Sequence, residues 1–330
     1  MKKVFKKVLW CVLFEIIFIP LLTILLVYYG PFTNIRDMIV TTAMTTMSHQ
    51  YFATFFLSDE KINEILAKNR PTELAEEQNL GEIKIDSSNS TDDTEGIELV
   101  DVSSSTFNGY LLIVKDPSRV KLVTAPRLGT VGATTSQIVE AYDAVGGINA
   151  GGFADDALGT GGKPSGIIIE DGVLKTPDEA NTSHSIVGFD SDNKMVVSYS
   201  MNYTKMKALN LRCVVSFGPI IIMNGQPTIR SGDGGWGIQP RTVIGQRKDG
   251  AVLMLVIDGR QANSLGATLK NVQDILLQYD CYNAFNLDGG ASSTMVYNKK
   301  LVNKPSDIMG ERYVPTAFII TKPNSDSTKE

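Results

Sequence analysis

Toward the C-terminal end of this chain an apolar run closes on a carboxylate, two glycines and three hydroxyls: Asn286-Leu287-Asp288-Gly289-Gly290-Ala291-Ser292-Ser293-Thr294-Met295. Glycine pairs let a backbone turn sharply or come close to a ligand, and the acid and hydroxyls offer a base, a metal ligand or sugar-type hydrogen bonds. A strand-end turn whose Asp288 and Ser292 only cap neighbouring backbone groups is the other reading of the motif alone. A second acid–glycine pair, Asp258-Gly259-Arg260, also follows an apolar run, and Arg241 opens a third.

The elements around these residues predict that they converge. Arg241 to Gln246 and Ala251 to Ile257 are apolar runs joined by Arg247-Lys248-Asp249-Gly250, a hairpin turn sequence. The start of the first strand then lies opposite the end of the second, so Arg241 meets Asp258. Thr268 caps a helix with the apolar stripe Leu269, Val272, Ile275 and Leu276, and a further buried run, Ala284 to Leu287, delivers Asp288. A strand, helix, strand unit makes its two strands parallel, with Asp258 and Asp288 at one edge. Strands sit about 4.8 Å apart, so two such carboxylates fall within the separation that acid and base chemistry on a sugar requires. An arginine beside them suits an anion; a structural ion pair between Arg241 and one Asp is the alternative.

Composition bounds the remaining classes. The 330 residues are 43% hydrophobic and 20% charged, ordinary globular values, and a net charge of -5 gives none of the basic surface that nucleic acid demands. With only His49 and His184, a histidine-rich zinc site is excluded. A Ser-His-Asp triad would have to use His184, and there is no Gly-x-Ser-x-Gly elbow. Gly161-Gly-Lys-Pro164 is no P-loop, because proline follows the lysine. From Val8 to Tyr29 the chain is almost wholly apolar, and about 22 residues reach roughly 33 Å, enough to cross a bilayer. Lys2, Lys3, Lys6 and Lys7 precede it, which puts the N-terminus in the cytoplasm and the rest outside. A cleaved signal peptide is the other reading, but the run is long and no small-x-small site follows it. Cys11 falls in the span, and Cys213 and Cys281 are either a pair or two buried thiols.

Three segments follow. Residues 1–30 are a cytoplasmic tip and transmembrane anchor; 31–95 are a stalk, with a helix after a Ser58 cap, and then an acidic, solvated linker from about 71; 96–330 are the folded body. In the body, Gly109 to Lys115 and Val120 to Thr124 read as a hairpin about Asp116-Pro117-Ser118, and Thr134 with Gln137 as a capping box. Strands fit Val145 to Asn149, Ser165 to Ile169, Ser185 to Phe189, Lys194 to Ser200, Cys213 to Phe217 and Ile220 to Met223. The expected class is α+β: a mixed, strand-rich sheet with a few packed helices, preceded by one N-terminal transmembrane helix. The loop Ser231 to Gly237 reads as a lid with Trp236 stacking on a sugar, or as Trp236 packing on its own domain; Arg260 and Arg312 are further anion-binding candidates.

Asn149-Ala-Gly-Gly-Phe153, Pro240-Arg-Thr-Val-Ile-Gly245, Ile257-Asp-Gly-Arg260 and Asn286 to Met295, in this order, resemble the phosphodiester glycosidase family, whose animal branch holds the uncovering enzyme. Members commonly carry Asn-Gly-Gly-Phe-Phe at the first motif and a third glycine in place of Ala291. The resemblance covers about 96 to 322. It implies hydrolysis of a sugar-1-phosphodiester, such as that of N-acetylglucosamine, that releases the sugar and leaves the phosphate on the other moiety. Bacterial members are often labelled exopolysaccharide biosynthesis proteins, which implies an extracytoplasmic, membrane-anchored enzyme of cell-surface polysaccharide synthesis or modification. On this reading Arg241 clamps the phosphate, and Asp258 and Asp288 act on the sugar side. Asn149 and Asn286 bond sugar hydroxyls or an N-acetyl group, the amides at Gly151, Gly152, Gly289 and Gly290 approach the phosphate, and Ser292 and His184 assist binding. No cofactor is required, and Ca²⁺ or Mg²⁺ on Asp258 or Asp288 stays open. The partners are a carbohydrate or glycolipid phosphodiester and, through residues 8–29, a membrane, with no nucleic acid. The alternatives are a non-catalytic glycan-binding component and a transglycosylase of an exopolysaccharide assembly system.

Overall fold

The computed structural model describes residues 2–46, 49–85, 96–154, 159–177 and 182–323. The chain divides into two units, Met1–Arg70 with Gly235–Gly237, and Pro71–Gly234 with Ile238–Glu330. The first unit holds α1 (Lys2–Tyr29), α2 (Thr33–Met44), α3 (Tyr51–Thr54) and α4 (Asp59–Asn69). Within α1, Val4–Tyr29 is long and apolar enough to cross a membrane. Ser58 caps α4, accepting from the Lys61 N–H. Helices α2 to α4 close a small core around Val40, Ala53, Ile62 and Ile65.

The second unit begins with β1 (Ile97–Asp101), β2 (Gly109–Val114), β3 (Val120–Thr124), α5 (Thr135–Ala141) and β4 (Gly146–Asn149). Next come β5 (Ile168–Glu170), β6 (Val173–Leu174), β7 (Ser183–Phe189), β8 (Met195–Asn202), α6 (Tyr203–Ala208), β9 (Cys213–Ser216), β10 (Ile220–Met223) and β11 (Gln226–Pro227). It ends with β12 (Arg241–Arg247), β13 (Val252–Ile257), α7 (Leu269–Gln278), β14 (Cys281–Asn286), β15 (Met295–Tyr297), β16 (Lys300–Leu301) and β17 (Thr316–Ile320). These strands form a seven-stranded sheet in the order β1-β2-β13-β12-β14-β10-β11, and two five-stranded sheets, β16-β15-β4-β17-β3 and β6-β5-β9-β7-β8. The class is mixed α+β, as expected. One core joins all three sheets, with Leu112, Ile244, Met254 and Phe285 from the first, Ile148 and Phe318 from the second, and Phe189 and Val215 from the third. Each such side chain contributes about 1.5–3 kcal/mol by leaving water, which holds the strand ends in fixed relation. Both expected caps form: Thr134 and Gln137 close a capping box on α5, and Thr268 with Asn271 does so on α7.

Two readings change, and one left open is decided. β2 and β3 are not a hairpin: β2 has β1 on one side and β13 on the other, so no edge remains for β3, which pairs with β17. Asp116 accepts from the Ser118 N–H and Pro117–Arg119 forms a 3₁₀ turn that carries the chain between sheets. Residues 71–85 are not a solvated linker. Thr72 N–H donates to the Thr228 carbonyl at 2.8 Å, Gln78 exchanges side-chain bonds with the backbone of Met195 and Val197, and Lys84 N–H donates to the Lys248 carbonyl at 2.7 Å. An acidic average hid the buried Ile83 and this regular use of backbone groups. Residues 86–95 of that acidic stretch lie outside the described residues. Cys213 and Cys281 are both free and buried, and burial pushes both thiols up, which makes them inert core residues.

Candidate active site

Arg241 opens β12 opposite Ile257, the last residue of β13, and Val243 on the same strand faces Asn286, the last of β14. Both neighbours run antiparallel to β12, so β13 and β14 are parallel to each other with one strand between them. Asp258 and Asp288 leave them at the edge where β12 begins.

The Asp288 corner is held through its backbone. Asp288 N–H donates to the Ala150 carbonyl at 2.9 Å, and its own carbonyl accepts from Asn149 Nδ2 at 2.6 Å. The other end of the Asn149 amide, Oδ1, accepts from the Thr242 hydroxyl at 2.8 Å and the Thr294 N–H at 3.0 Å. One buried amide thus ties β4, β12 and both sides of the Asp288–Thr294 loop, so Asn149 acts on protein groups and not by reaching a sugar. The Asp288 side chain stays partly exposed. A β-carbon on Gly289 would meet the Pro240 carbonyl oxygen at 2.8 Å, and Gly290 holds φ +59. Both glycines are dictated by this tight loop. Ala291 lies in the following Gly290–Ser292 3₁₀ turn and is not among the positive-φ residues, so alanine fits where relatives often carry a third glycine.

The Asp258 corner is held through its side chain. Asn303 Nδ2 donates to Oδ1 at 2.9 Å, and Lys304 N–H lies 3.0 and 3.1 Å from the two oxygens. Asp258 is 2% exposed. Burial raises its carboxyl above the ordinary range, against the lowering effect of Asn303 and Lys304.

Cations gather at the same edge. Arg241 is buried, and its Nε donates to the Ala267 carbonyl at 3.0 Å. Burial pulls it down to about 9; Asp233 opposes that fall and Arg260 adds to it. Arg260, at φ +57, donates from Nε and Nη2 to Gln239 Oε1 at 3.0 and 2.6 Å. A β-carbon on Gly290 would lie 3.3 Å from Arg260 Nη2, so this guanidinium covers the diglycine loop. It keeps an exposed face, yet desolvation lowers it, and Arg312 lowers it further. Arg312 in turn sits over the Phe153 ring, 5.0 Å from its centroid. Arg260 is thus repelled by Arg312 and in turn acts on Arg241, whose charge Asp233 supports, and it is the Arg260 guanidinium that lies beside Gly290.

Residues 142–321 match the model of the phosphodiester glycosidase family. The chain belongs to the phosphodiester glycosidase family. It is 40% identical over 88 residues to the SPbeta prophage-derived uncharacterized protein YomE of Bacillus subtilis, covering 27% of this chain and 14% of that one. It is 41% identical over 70 residues to N-acetylglucosamine-1-phosphodiester alpha-N-acetylglucosaminidase of Bos taurus, covering 21% of this chain and 13% of that one. The chain therefore spans only about a seventh of the length of these relatives. Among solved structures, the catalytic domain of the zebrafish N-acetylglucosamine-1-phosphodiester alpha-N-acetylglucosaminidase, auto-inhibited by its pro-peptide, shares the fold. Its TM-score is 0.60 at 23% identity, over 73% of this chain and 87% of that one. A hypothetical protein from Synechocystis also aligns, at a TM-score of 0.51 and 14% identity, over 68% and 61%.

The family segment contains every candidate residue. Asn286 is buried; its Nδ2 donates to the Gly218 carbonyl at 2.8 Å and its Oδ1 is buried with no partner. Gly151 and Gly152 are close-packing glycines, since β-carbons there would meet Val215 and Phe217 at 2.4 and 2.8 Å. Ser292 is buried in the 3₁₀ turn. His184, half-buried on β7, faces the turn at Gly166. Trp236 groups with the first unit, where its carbonyl accepts from the Thr45 hydroxyl at 3.3 Å. Among the described residues no group of three or more His, Cys, Asp and Glu side chains gathers. With the Asp258 oxygens already met by Asn303 and Lys304, the residues here do not fit the Ca²⁺ or Mg²⁺ entertained from sequence. Sequence reading missed Gln239, Thr242, Asn303 and Lys304, whose partners lie from 21 to 93 residues away along the chain. Only Gln239 and Thr242, flanking the Pro240-Arg241 motif, carried any local signal.

Proposed function

We propose that the chain hydrolyses a sugar-1-phosphodiester at the edge formed by β12, β13 and β14. The observation that carries this reading is a partly exposed Asp288 leading into the Gly289-Gly290 loop that the Arg260 guanidinium covers, with Arg241 and Arg312 near enough to Arg260 to be felt by it or to feel it. Arg260 and Arg312 hold the phosphate and offset charge as it builds on the departing oxygen, with Arg241 adding to the field from its buried position. A phosphodiester leaves readily once so stabilised. Asp288 serves the sugar side: it takes the proton as water oxygen bonds to the anomeric carbon and the bond from that carbon to the phosphate oxygen breaks. Free sugar and a phosphomonoester result. Asp258 takes a different part from that suggested by its motif, tethering the Asn303 side chain and the Lys304 N–H.

The family placement, at 41% identity over 70 residues to an N-acetylglucosamine-1-phosphodiester alpha-N-acetylglucosaminidase, supports a sugar of that kind. We assign the enzyme to the outer face of a cell membrane, anchored by residues 8–29 with the N-terminus cytoplasmic, and working on cell-surface polysaccharide. The apolar α1 and the lysines before it support that topology. Incubating the full chain, in detergent, with N-acetylglucosamine-1-phosphate esters and following released sugar by mass spectrometry tests the activity. Release of N-acetylglucosamine, lost in Asp288→Asn, is the expected result. Binding without release would instead establish a glycan-binding component, and transfer to an added alcohol without free sugar a transglycosylase.

A further inference from the structure

We infer that the rim of this site takes the hydrocarbon part of a lipid-linked sugar phosphodiester, a step that rests on the hydrolase reading above. Loop 304–313 leaves the site at Lys304, whose N–H is bound by Asp258 and whose carbonyl accepts from Gln261 Nε2 at 2.7 Å. It returns at Glu311, which accepts from the Ser136 N–H at 2.9 Å, and at Arg312 over Phe153. Between these anchors Asp307 and Gly310 close a turn, with Met309 N–H donating to Asp307 Oδ1 at 3.0 Å. The turn holds Ile308 and Met309 out into solvent, 103% and 95% exposed. Nothing in the loop covers them. Beside it, Leu265 is 56% exposed, and its carbonyl accepts from the Arg260 N–H at 3.1 Å.

A single exposed apolar residue is ordinary on a protein surface. Two adjacent ones, fully exposed on an anchored turn, with a third on the segment that Gln261 ties to Lys304, offer apolar surface to solvent at one end of the site. Their placement matters more than their number: the loop that carries Ile308 and Met309 starts at Lys304, held by Asp258, and ends at Arg312, and Leu265 shares a backbone hydrogen bond with Arg260, so these apolar residues stand on the two segments that also carry the cations assigned to the phosphate. An anion pocket edged by aliphatic side chains matches an isoprenoid or acyl chain joined to a phosphate. The apolar α1 fits an enzyme that works where such lipids reside.

The test compares two substrates in the same detergent micelles, using the full chain: an N-acetylglucosamine-1-phosphodiester of a long isoprenoid alcohol, and the same sugar phosphate esterified to methanol. The expected result is a kcat/KM at least tenfold higher for the isoprenoid ester. In the double variant Ile308→Ser with Met309→Ser, this advantage is lost while turnover of the methyl ester and the Tm are retained. Equal kcat/KM for both esters in the parent chain, or a double variant that lowers both alike or neither, overturns the lipid inference and leaves the hydrolase reading standing. Turnover of neither ester by the parent chain overturns the hydrolase reading itself.

Discussion

Two corners of one sheet edge begin alike and end differently. Each is an Asp-Gly pair following a buried strand, on strands that run parallel on either side of β12. At Asp288 the protein engages the backbone, through Ala150 and Asn149, and leaves the carboxylate partly exposed. At Asp258 it engages the carboxylate, through Asn303 and Lys304, and buries it. A buried carboxylate whose oxygens meet an amide and a backbone N–H is a tether, whereas a partly exposed one, on a corner fixed through its main chain, is open to solvent. The same dipeptide is thus buried as a tether at one corner and left partly exposed at the other, according to where its hydrogen bonds are made.

Substitution separates the corners. On the proposed mechanism Asp288→Asn lowers kcat by about 10³-fold or more, since it removes the group that takes the proton from water. A rate within tenfold of the parent would place the chemistry elsewhere. Arg260→Ala should lower kcat/KM by about 10²-fold, as loss of a preorganised cation on the leaving oxygen does, with Arg260→Lys recovering part of it. Unchanged kinetics in the alanine variant would break the pairing of Asp288 with Arg260.

At the other corner the effect moves from rate to stability. Asp258→Asn is expected to cost about 1–3 kcal/mol by turning an acceptor of the Lys304 or Asn303 donors into a donor, with a much smaller change in kcat than Asp288→Asn. The pH dependence sharpens this. Burial raises the Asp258 carboxyl in the folded chain, so its stabilising contribution is complete below about pH 3.8 and is lost as pH rises through the raised value. Urea denaturation of parent and variant should therefore give a stability gap that narrows from acid toward neutral pH; a gap that widens would contradict the burial. Gly290→Ala should have the smallest effect, about 1 kcal/mol for a β-carbon in the left-handed region, with kcat/KM falling severalfold as Arg260 is displaced.

Local chemistry was legible where it acts over short range. The hairpin turn Arg247 to Gly250, the Thr134 and Thr268 boxes and the glycine pair are decided by neighbouring residues, and the structure contains them. The hairpin expected of Gly109 to Thr124 failed because both edges of β2 are taken by strands distant in sequence. The linker reading of 71–85 failed because composition says nothing of where backbone N–H groups find partners.

For the edge itself the division is sharp. Alternation of apolar runs and caps, a strand, a turn, a strand, a helix and a strand, sufficed to bring Arg241, Asp258 and Asp288 to one side of a sheet, because chain connectivity and strand direction leave little choice. Which acid faces solvent, which amide ties the loop and which arginines stand together were decided only on folding. Those outcomes depend on partners such as Asn149, Gln239, Asn303 and Arg312, brought close by packing from far along the chain. Hydrogen bonds and charge act over a few ångströms of space, and a linear order of residues does not contain that distance.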